Sequence, residues 1–288
     1  MNPSMISAAV SMQAIQQKLD VIAHNVANMN TTGFKRREAS FQDVLTSVYR
    51  QPAGARLPGR MTPQGYVQGW GAKLASVGLV MEQGNLLPTY RPYDLALEGE
   101  GLFEIRLSAP DENGGGGEVR WTRDGSFQLT YDPADPGMMV LATQEGYPVI
   151  GADGAPVRIP VNHTPRIDEA GRIFLTDDAH PEAEPVPFGQ LRIVRALRPQ
   201  ALVNDGANLF RLPPGTAADG VLETVDLAAY DGADGRKIAV RQGYLEQSNV
   251  NLAAEMTELL TAQRAYQLNA RAIASSDTMM GLANNLRA

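Results

Sequence analysis

The sequence predicts an α+β fold in which N- and C-terminal helices pair as a coiled coil and a mainly antiparallel, β-rich middle domain lies between them. Three observations carry this expectation. Apolar residues recur at heptad spacing at both extremes of the 288-residue chain. Short apolar runs follow one another through the middle, separated by Asp-Gly and Glu-Gly turn signals. No helical pattern alternates with those runs, which argues against Rossmann-like and TIM-barrel architectures.

The first helix is predicted from Pro3 to Ala27, with Asn2 as cap and Pro3 at the first helical position. Met5, Met12, Ile15, Leu19, Ile22 and Val26 form its apolar seam. A weaker stripe of Ile6, Val10 and Ala14, with Ser7, Ala8 and Ser11, makes a second face small enough for close approach. The run from Asn28 to Gly33 ends the helix, since Asn and Gly tolerate the left-handed conformation that closes one.

The last helix is predicted from about 251 to 285. Leu252, Met256, Leu259, Gln263, Tyr266, Ala270, Ile273, Asp277 and Met280 alternate by four and three. Gln263 and Asp277 are polar breaks of the kind that fix register at some cost in stability. Helices of this length are marginal alone, so each seam needs a partner, and the simplest partner for one is the other.

In the middle, strands are expected at 94–97, 102–107, 118–122, 127–131, 138–141, 147–150, 157–161, 173–176, 191–196 and 238–244. Turns are expected at Asp124-Gly125, Glu145-Gly146, Asp153-Gly154, Ala170-Gly171 and Asp205-Gly206. Residues 51–71 read as an extended, hinge-like segment, and Gly114 to Gly117 as a loop tip.

Composition bounds the chemistry. Hydrophobic residues make up 43%, enough for a core, and 28 Gly and 19 Pro suit short strands and turns. A net charge of −7 with no concentrated basic face argues against a nucleic-acid partner. The absence of cysteine removes disulfides, thiolate catalysis and Cys-based metal sites. No run of 18 apolar residues occurs, so no membrane insertion is expected, and the N-terminus lacks the pattern of a secretory signal. No nucleophile elbow, phosphate loop or zinc motif is present. His24, His163 and His180 are scattered, and Asp231 to Gly235 lacks the downstream Glu of a calcium loop, so no catalytic, cofactor or metal residue is expected.

Four motifs then carry a resemblance. Asn25-Val26-Ala27-Asn28-Met29-Asn30-Thr31-Thr32-Gly33-Phe34-Lys35 resembles the N-terminal signature of the bacterial flagellar rod and hook proteins. Within it Asn25, Asn28, Asn30, Thr31, Gly33, Phe34 and Lys35 are the matching positions. Asp94 to Phe103 resembles the family's Asp-x-Ala-x-x-Gly-x-Gly-Phe-Phe strand pair, with Leu102 where Phe is usual. Trp121 to Phe127 is similar to its Thr-Arg-Asp-Gly-Ser-Phe stretch. Gln247 to Asn251, Glu255-Met256 and Gln263 to Tyr266 are similar to its closing helix. The order and reach of the four, and a single compact β insert, look most like a distal-rod or neighbouring rod protein.

The resemblance implies a structural axial subunit of the basal-body rod, not an enzyme. It implies copies of itself, other rod and hook proteins and the flagellar export apparatus as partners. It further implies export without a cleaved signal, a rod crossing the periplasm or cell wall, and terminal helices that polymerise helically around the export channel and transmit torque. On this reading Met5, Met12, Ile15, Leu19, Ile22, Val26, Leu252, Met256, Leu259, Tyr266, Ile273 and Met280 are the assembly residues. Residues 1–33 with 248–288 form the helical domain, 34–92 with 238–247 an extended or β connecting region, and 93–237 a β-rich outer domain. The rival readings are an envelope-associated hydrolase and an extracellular binding protein on a helical stalk.

Overall fold

The computed structural model describes residues 3–44, 46–49, 66–107, 118–132, 135–177, 184–216, 218, 220–227 and 238–286. The Asn2 cap, the glycine run 114–117, His180, the 231–235 loop and most of the 51–71 segment lie outside the described residues. Two compact units emerge, each drawn from separate stretches of chain. One comprises residues 1–27, 37–78 and 251–288, the other 28–36 and 79–250.

The first unit holds two helices, α1 (Pro3–Ala27) and α2 (Leu252–Asn285). Asn251 starts α2: its side-chain oxygen accepts from the backbone N–H groups of Ala253 (3.0 Å) and Ala254 (3.3 Å). The helices pack on each other antiparallel, Asn25 near the end of α1 meeting Glu255 in the first turn of α2, and Lys18 meeting Glu258. At 34 residues against 25, α2 outruns α1 at its C-terminal end by about 13 Å. The strands Arg37–Asp43 and Ala72–Leu79 pair, as do Thr46–Tyr49 and Tyr66–Gly69, which adds strands the apolar runs did not signal. The small face of α1 admits Gly71 (φ +99°), where a Cβ would meet the Ser7 carbonyl oxygen at 2.9 Å and Ser11 Oγ at 3.2 Å.

The second unit is antiparallel β throughout its named strands. A six-stranded sheet runs in the order Val203–Asn204, Leu209–Arg211, Val119–Thr122, Leu102–Arg106, Ile193–Ala196, Leu222–Val225. Two three-stranded sheets, Arg158–Pro160/Met138–Ala142/Gln128–Tyr131 and His163–Ile167/Arg172–Asp177/Val186–Gln190, accompany it. The pairs Ala239–Gln242 with Leu95–Glu98 and Tyr244–Glu246 with Leu86–Pro88 complete it. Alternation splits the central strand: Phe103 and Ile105 enter the main core with Leu95, Phe127 and Ile193, while Leu102 turns to a second cluster with Trp121, Val194 and Phe210. Phe103 and Phe127 meet edge to face, with centroids 5.1 Å apart.

The expected strands at 94–97, 102–107, 118–122, 127–131, 138–141, 157–161, 173–176 and 191–196 are each present within a few residues. Two expectations change. Residues 147–150 make only isolated bridges, Val149 to Ile105 and Pro148 to Ala142. The run 238–244 is broken at Gly243, whose φ of +78° turns the chain into a second strand.

Among the expected turns, Gly146, Gly154, Gly171 and Gly206 all have positive φ. Asp124-Gly125 is not a hairpin, because the strands on either side pair in different sheets. Gly125 is required there by close approach, since a Cβ would lie 1.6 Å from the Leu95 carbonyl oxygen.

Candidate functional site

Residues of three of the sequence motifs, Lys35, Leu97 to Gly101 and Arg123, meet Glu246 of the last strand at one place in the β-rich unit. Lys35, Arg123 and Glu246 form a buried ionic junction in which each side chain is 1% exposed. Lys35 Nζ donates to Glu246 Oε1 and to the Glu82 carbonyl, both at 2.7 Å. Arg123 Nε donates to Glu246 Oε2. Its other nitrogens donate to the carbonyls of Leu97 (2.8 Å), Gly99 (2.6 Å) and Gly101. The Gly84 N–H adds a further bond to Glu246 Oε1 at 2.8 Å.

Each element reaches the junction for a local reason. Gly33, with φ +65°, lets the chain lie against residues 123–124, where a Cβ would sit 2.5 Å from the Asp124 nitrogen. Its N–H donates to the Glu246 carbonyl at 2.8 Å, which registers the first motif on the last strand. Thr32 Oγ1 donates to Asp124 Oδ1 at 3.0 Å. Asn249 accepts from the Arg36 N–H (2.7 Å) and donates to the carbonyls of Val80 and Glu82.

Two cations share one carboxylate here, so the junction carries net positive charge. Burial, then the Arg123 guanidinium alongside, pushes Lys35 down to about 8, with Glu246 opposing. Burial likewise lowers Arg123 from its ordinary value, but a guanidinium stays protonated at any working pH. Every polar partner is a carbonyl, an N–H or the one carboxylate, and nothing is placed as a nucleophile beside a base. The arrangement holds chain segments together. Among the described residues no group of three or more His, Cys, Asp or Glu side chains could hold a metal ion.

In the helical unit a second polar site joins three elements. Asn25, 1% exposed, donates from Nδ2 to the Arg37 carbonyl (2.9 Å) and to Glu255 Oε1 (3.3 Å), and accepts from the Arg37 N–H (3.0 Å). Glu255 is 3% exposed.

Of the seam residues on α1, Ile22 is buried, and Met5, Met12, Ile15, Leu19 and Val26 are half-buried. Ala14 and Asn25 are buried beside them. On α2 the covered line is Glu255, Leu259, Ala262, Tyr266, Asn269, Ile273 and Ser276, itself spaced by four and three. It shares Leu259, Tyr266 and Ile273 with the apolar seam and is otherwise one residue out of step. Leu252, Met256, Gln263, Asp277 and Met280 are exposed. In the first motif Gly33, Phe34 and Lys35 are buried, Asn28 and Thr31 half-buried and Asn30 exposed. His24 is exposed on α1, with its pKa lowered by partial desolvation and then by Arg37.

Sequence reasoning did not single out Glu246, and it placed Arg123 and Glu255 within family-like motifs without naming them as site residues. Glu246 falls between an apolar run and a motif, at the last residue of the strand Tyr244–Glu246, where no local pattern marks it as buried.

Comparison with known proteins places both ends of the chain. The family model described as "Flagella basal body rod protein" matches residues 7–35. The model described as "Flagellar basal body rod FlgEFG protein C-terminal" matches residues 241–286. The flagellar basal-body rod protein FlgG of Borreliella burgdorferi is 35% identical over 281 residues, 98% of this chain and 97% of its own length. FlgG of Caulobacter vibrioides is 36% identical over 283 residues, 98% of each chain. The flagellar hook-basal body complex protein FlhP of Bacillus subtilis is 31% identical over 289 residues, 99% of each.

Proposed function

Because the chain belongs to the flagellar basal-body rod proteins, and is a structural subunit of the basal body, we propose that it polymerises helically through its two terminal helices, which supercoil as a coiled coil and enclose the export channel. The rod so formed crosses the periplasm or cell wall and transmits torque. Its partners are other copies, neighbouring rod and hook proteins and, during delivery, the export apparatus, which it passes without a cleaved signal. Within the chain, 1–33 with 248–288 serve as the assembly domain, 34–92 with 238–247 as the connection and 93–237 as the outer domain.

One observation carries this reading. The face of α2 opposite its α1-covered line is open and carries large apolar side chains: Leu260, Leu268, Met279 and Leu282 are 55–65% exposed, with the exposed Arg264 and Arg271 set among them. At about 100° per residue these four fall within roughly a quarter-turn of one another, half a turn from Leu259, Tyr266 and Ile273. A helix that buries one side inside its own subunit and leaves large apolar side chains open on the other has area for a second partner. Contacts that pass from one copy to the next without closing build an open helical filament.

The test is Leu260→Asp with Leu268→Asp, which leaves the α1-facing line intact. The expected result is a chain with unchanged helix content by circular dichroism that is absent from purified basal bodies and gives non-motile cells. Normal incorporation into rods would overturn the reading.

A further inference from the structure

The two helices meet along surfaces that repeat. On α2 the large covered residues Leu259, Tyr266 and Ile273 lie seven apart. On α1, Met12, Leu19 and Val26 lie seven apart, and so do Ile15 and Ile22. Sliding one helix past the other by a heptad therefore sets these large apolar residues against one another again. Apolar packing alone leaves the alignment of these helices poorly specified. Gln263 and Asp277, the polar residues expected to set it, are exposed.

We infer that Asn25 and Glu255 set the register of the helix pair. Asn25 is the one buried amide on α1 and Glu255 the one buried acid on α2 among the described residues. The bond between them, 3.3 Å, connects residues 230 positions apart in sequence. A slip of seven in either direction breaks it, taking Asn25 to Ala262 or beyond the start of α2. The Asn25 amide is also held fast, because its oxygen and second N–H clamp the backbone of Arg37 at 3.0 and 2.9 Å. One side chain thus ties the end of α1, the first residue of the Arg37–Asp43 strand and the first turn of α2. Glu255 suits its place, since a carboxylate in the first turn is favoured by the helix dipole. A buried polar pair of this kind selects one alignment by making the others leave a polar group unpaired. The role is positional, and it stands whether or not the chain polymerises as proposed, because it is read within one chain.

The absence of native cysteine makes register directly measurable. Two full-length reporter chains carry Lys18→Cys with Glu258→Cys, the native alignment, or Lys18→Cys with Ala265→Cys, one heptad away. Both are treated with a short bis-maleimide. With Asn25 and Glu255 intact, the native pair should cross-link in preference to the shifted pair by roughly tenfold or more, the scale of one buried charge-assisted bond. Asn25→Leu with Glu255→Leu should keep helix content by circular dichroism but bring the two yields within about threefold of each other, since the bond that distinguishes the two alignments is lost. Glu255→Gln keeps an acceptor for Asn25 and should restore the native preference. Preference retained in the double-leucine chain, or no cross-link at either pair with Asn25 and Glu255 intact, would overturn the inference.

Discussion

In the β-rich unit the apolar clusters close on themselves and the charges at its centre are locked, with scattered side chains such as Tyr90, Tyr131 and Val186 left outside; along α2 much of the apolar surface points outward. The buried junction of Lys35, Arg123 and Glu246 is surrounded by carbonyl and N–H partners from two further stretches of chain, 82–84 and 97–101. Its order comes from within the unit. The helix pair covers a line of mixed size and polarity and leaves leucines and methionines in water. The contrast teaches that the two units are built for different endpoints. One closes a core around its own charged junction, while the other holds apolar area in reserve for another molecule.

Breaking the junction should have the largest effect. Glu246→Leu leaves two buried cations without their carboxylate and should cost about 3–5 kcal/mol, read from urea unfolding of the β-rich unit. Replacing all three charges together (Lys35→Met, Arg123→Met, Glu246→Leu) should cost less than that single change, because no uncompensated charge remains. If the triple variant is the weaker one, the junction contributes net attraction and the comparison sharpens in its favour.

A second probe is pH. Lys35 has a folded pKa of about 8 against an ordinary 10.5, so between those values the unfolded chain binds more protons than the folded one. Stability then rises with pH across that window, the reverse of a lysine stabilised by its partner, by an amount on the order of a few kcal/mol. The check is the difference in unfolding free energy between the parent and Lys35→Met from pH 7 to 11. A difference that stays flat, or changes in the opposite sense, removes the buried-cation account.

In the helical unit the effects should be smaller. Asn251→Ala removes the oxygen that caps the Ala253 and Ala254 N–H groups and should lower the helix melting transition by an amount equivalent to about 1 kcal/mol. Lys18→Ala removes a half-exposed ion pair with Glu258 (2.9 Å) and should change stability by less than about 0.5 kcal/mol, vanishing at high salt. A larger loss from Lys18 would mean that the helix pair depends on its rim as much as on its seam.

Much of the fold was legible. The α1 limits follow from Pro3 and the Asn-rich stop, and eight strands follow from apolar runs bounded by turn residues. Strands such as His163–Ile167 and Val186–Gln190 were hidden because Pro165 and Pro187 interrupt them and polar residues fill one face. The junction was half visible. Lys35 and Arg123 stood inside motifs, but nothing local says that Lys35 and Glu246, separated by 211 positions, share one hydrogen bond.

By itself, the sequence determined the family, the existence of two long terminal helices, and the glycines that set the β turns. These depend on local periodicity, backbone sterics and motif identity, all of which are written in consecutive residues. Tertiary structure decided which line of α2 is covered. The heptad count makes Met256, Gln263, Ala270 and Asp277 the companions of Leu259, Tyr266 and Ile273, but Met256, Gln263 and Asp277 are exposed, and Glu255, Ala262 and Ser276 are buried in their place. Ala262 and Ser276 are small enough for close approach, and Glu255 has a bond to make. Period alone locates a helix face only to within a residue, and packing with hydrogen bonding chooses between neighbours. The same choice leaves Leu260, Leu268, Met279 and Leu282 exposed.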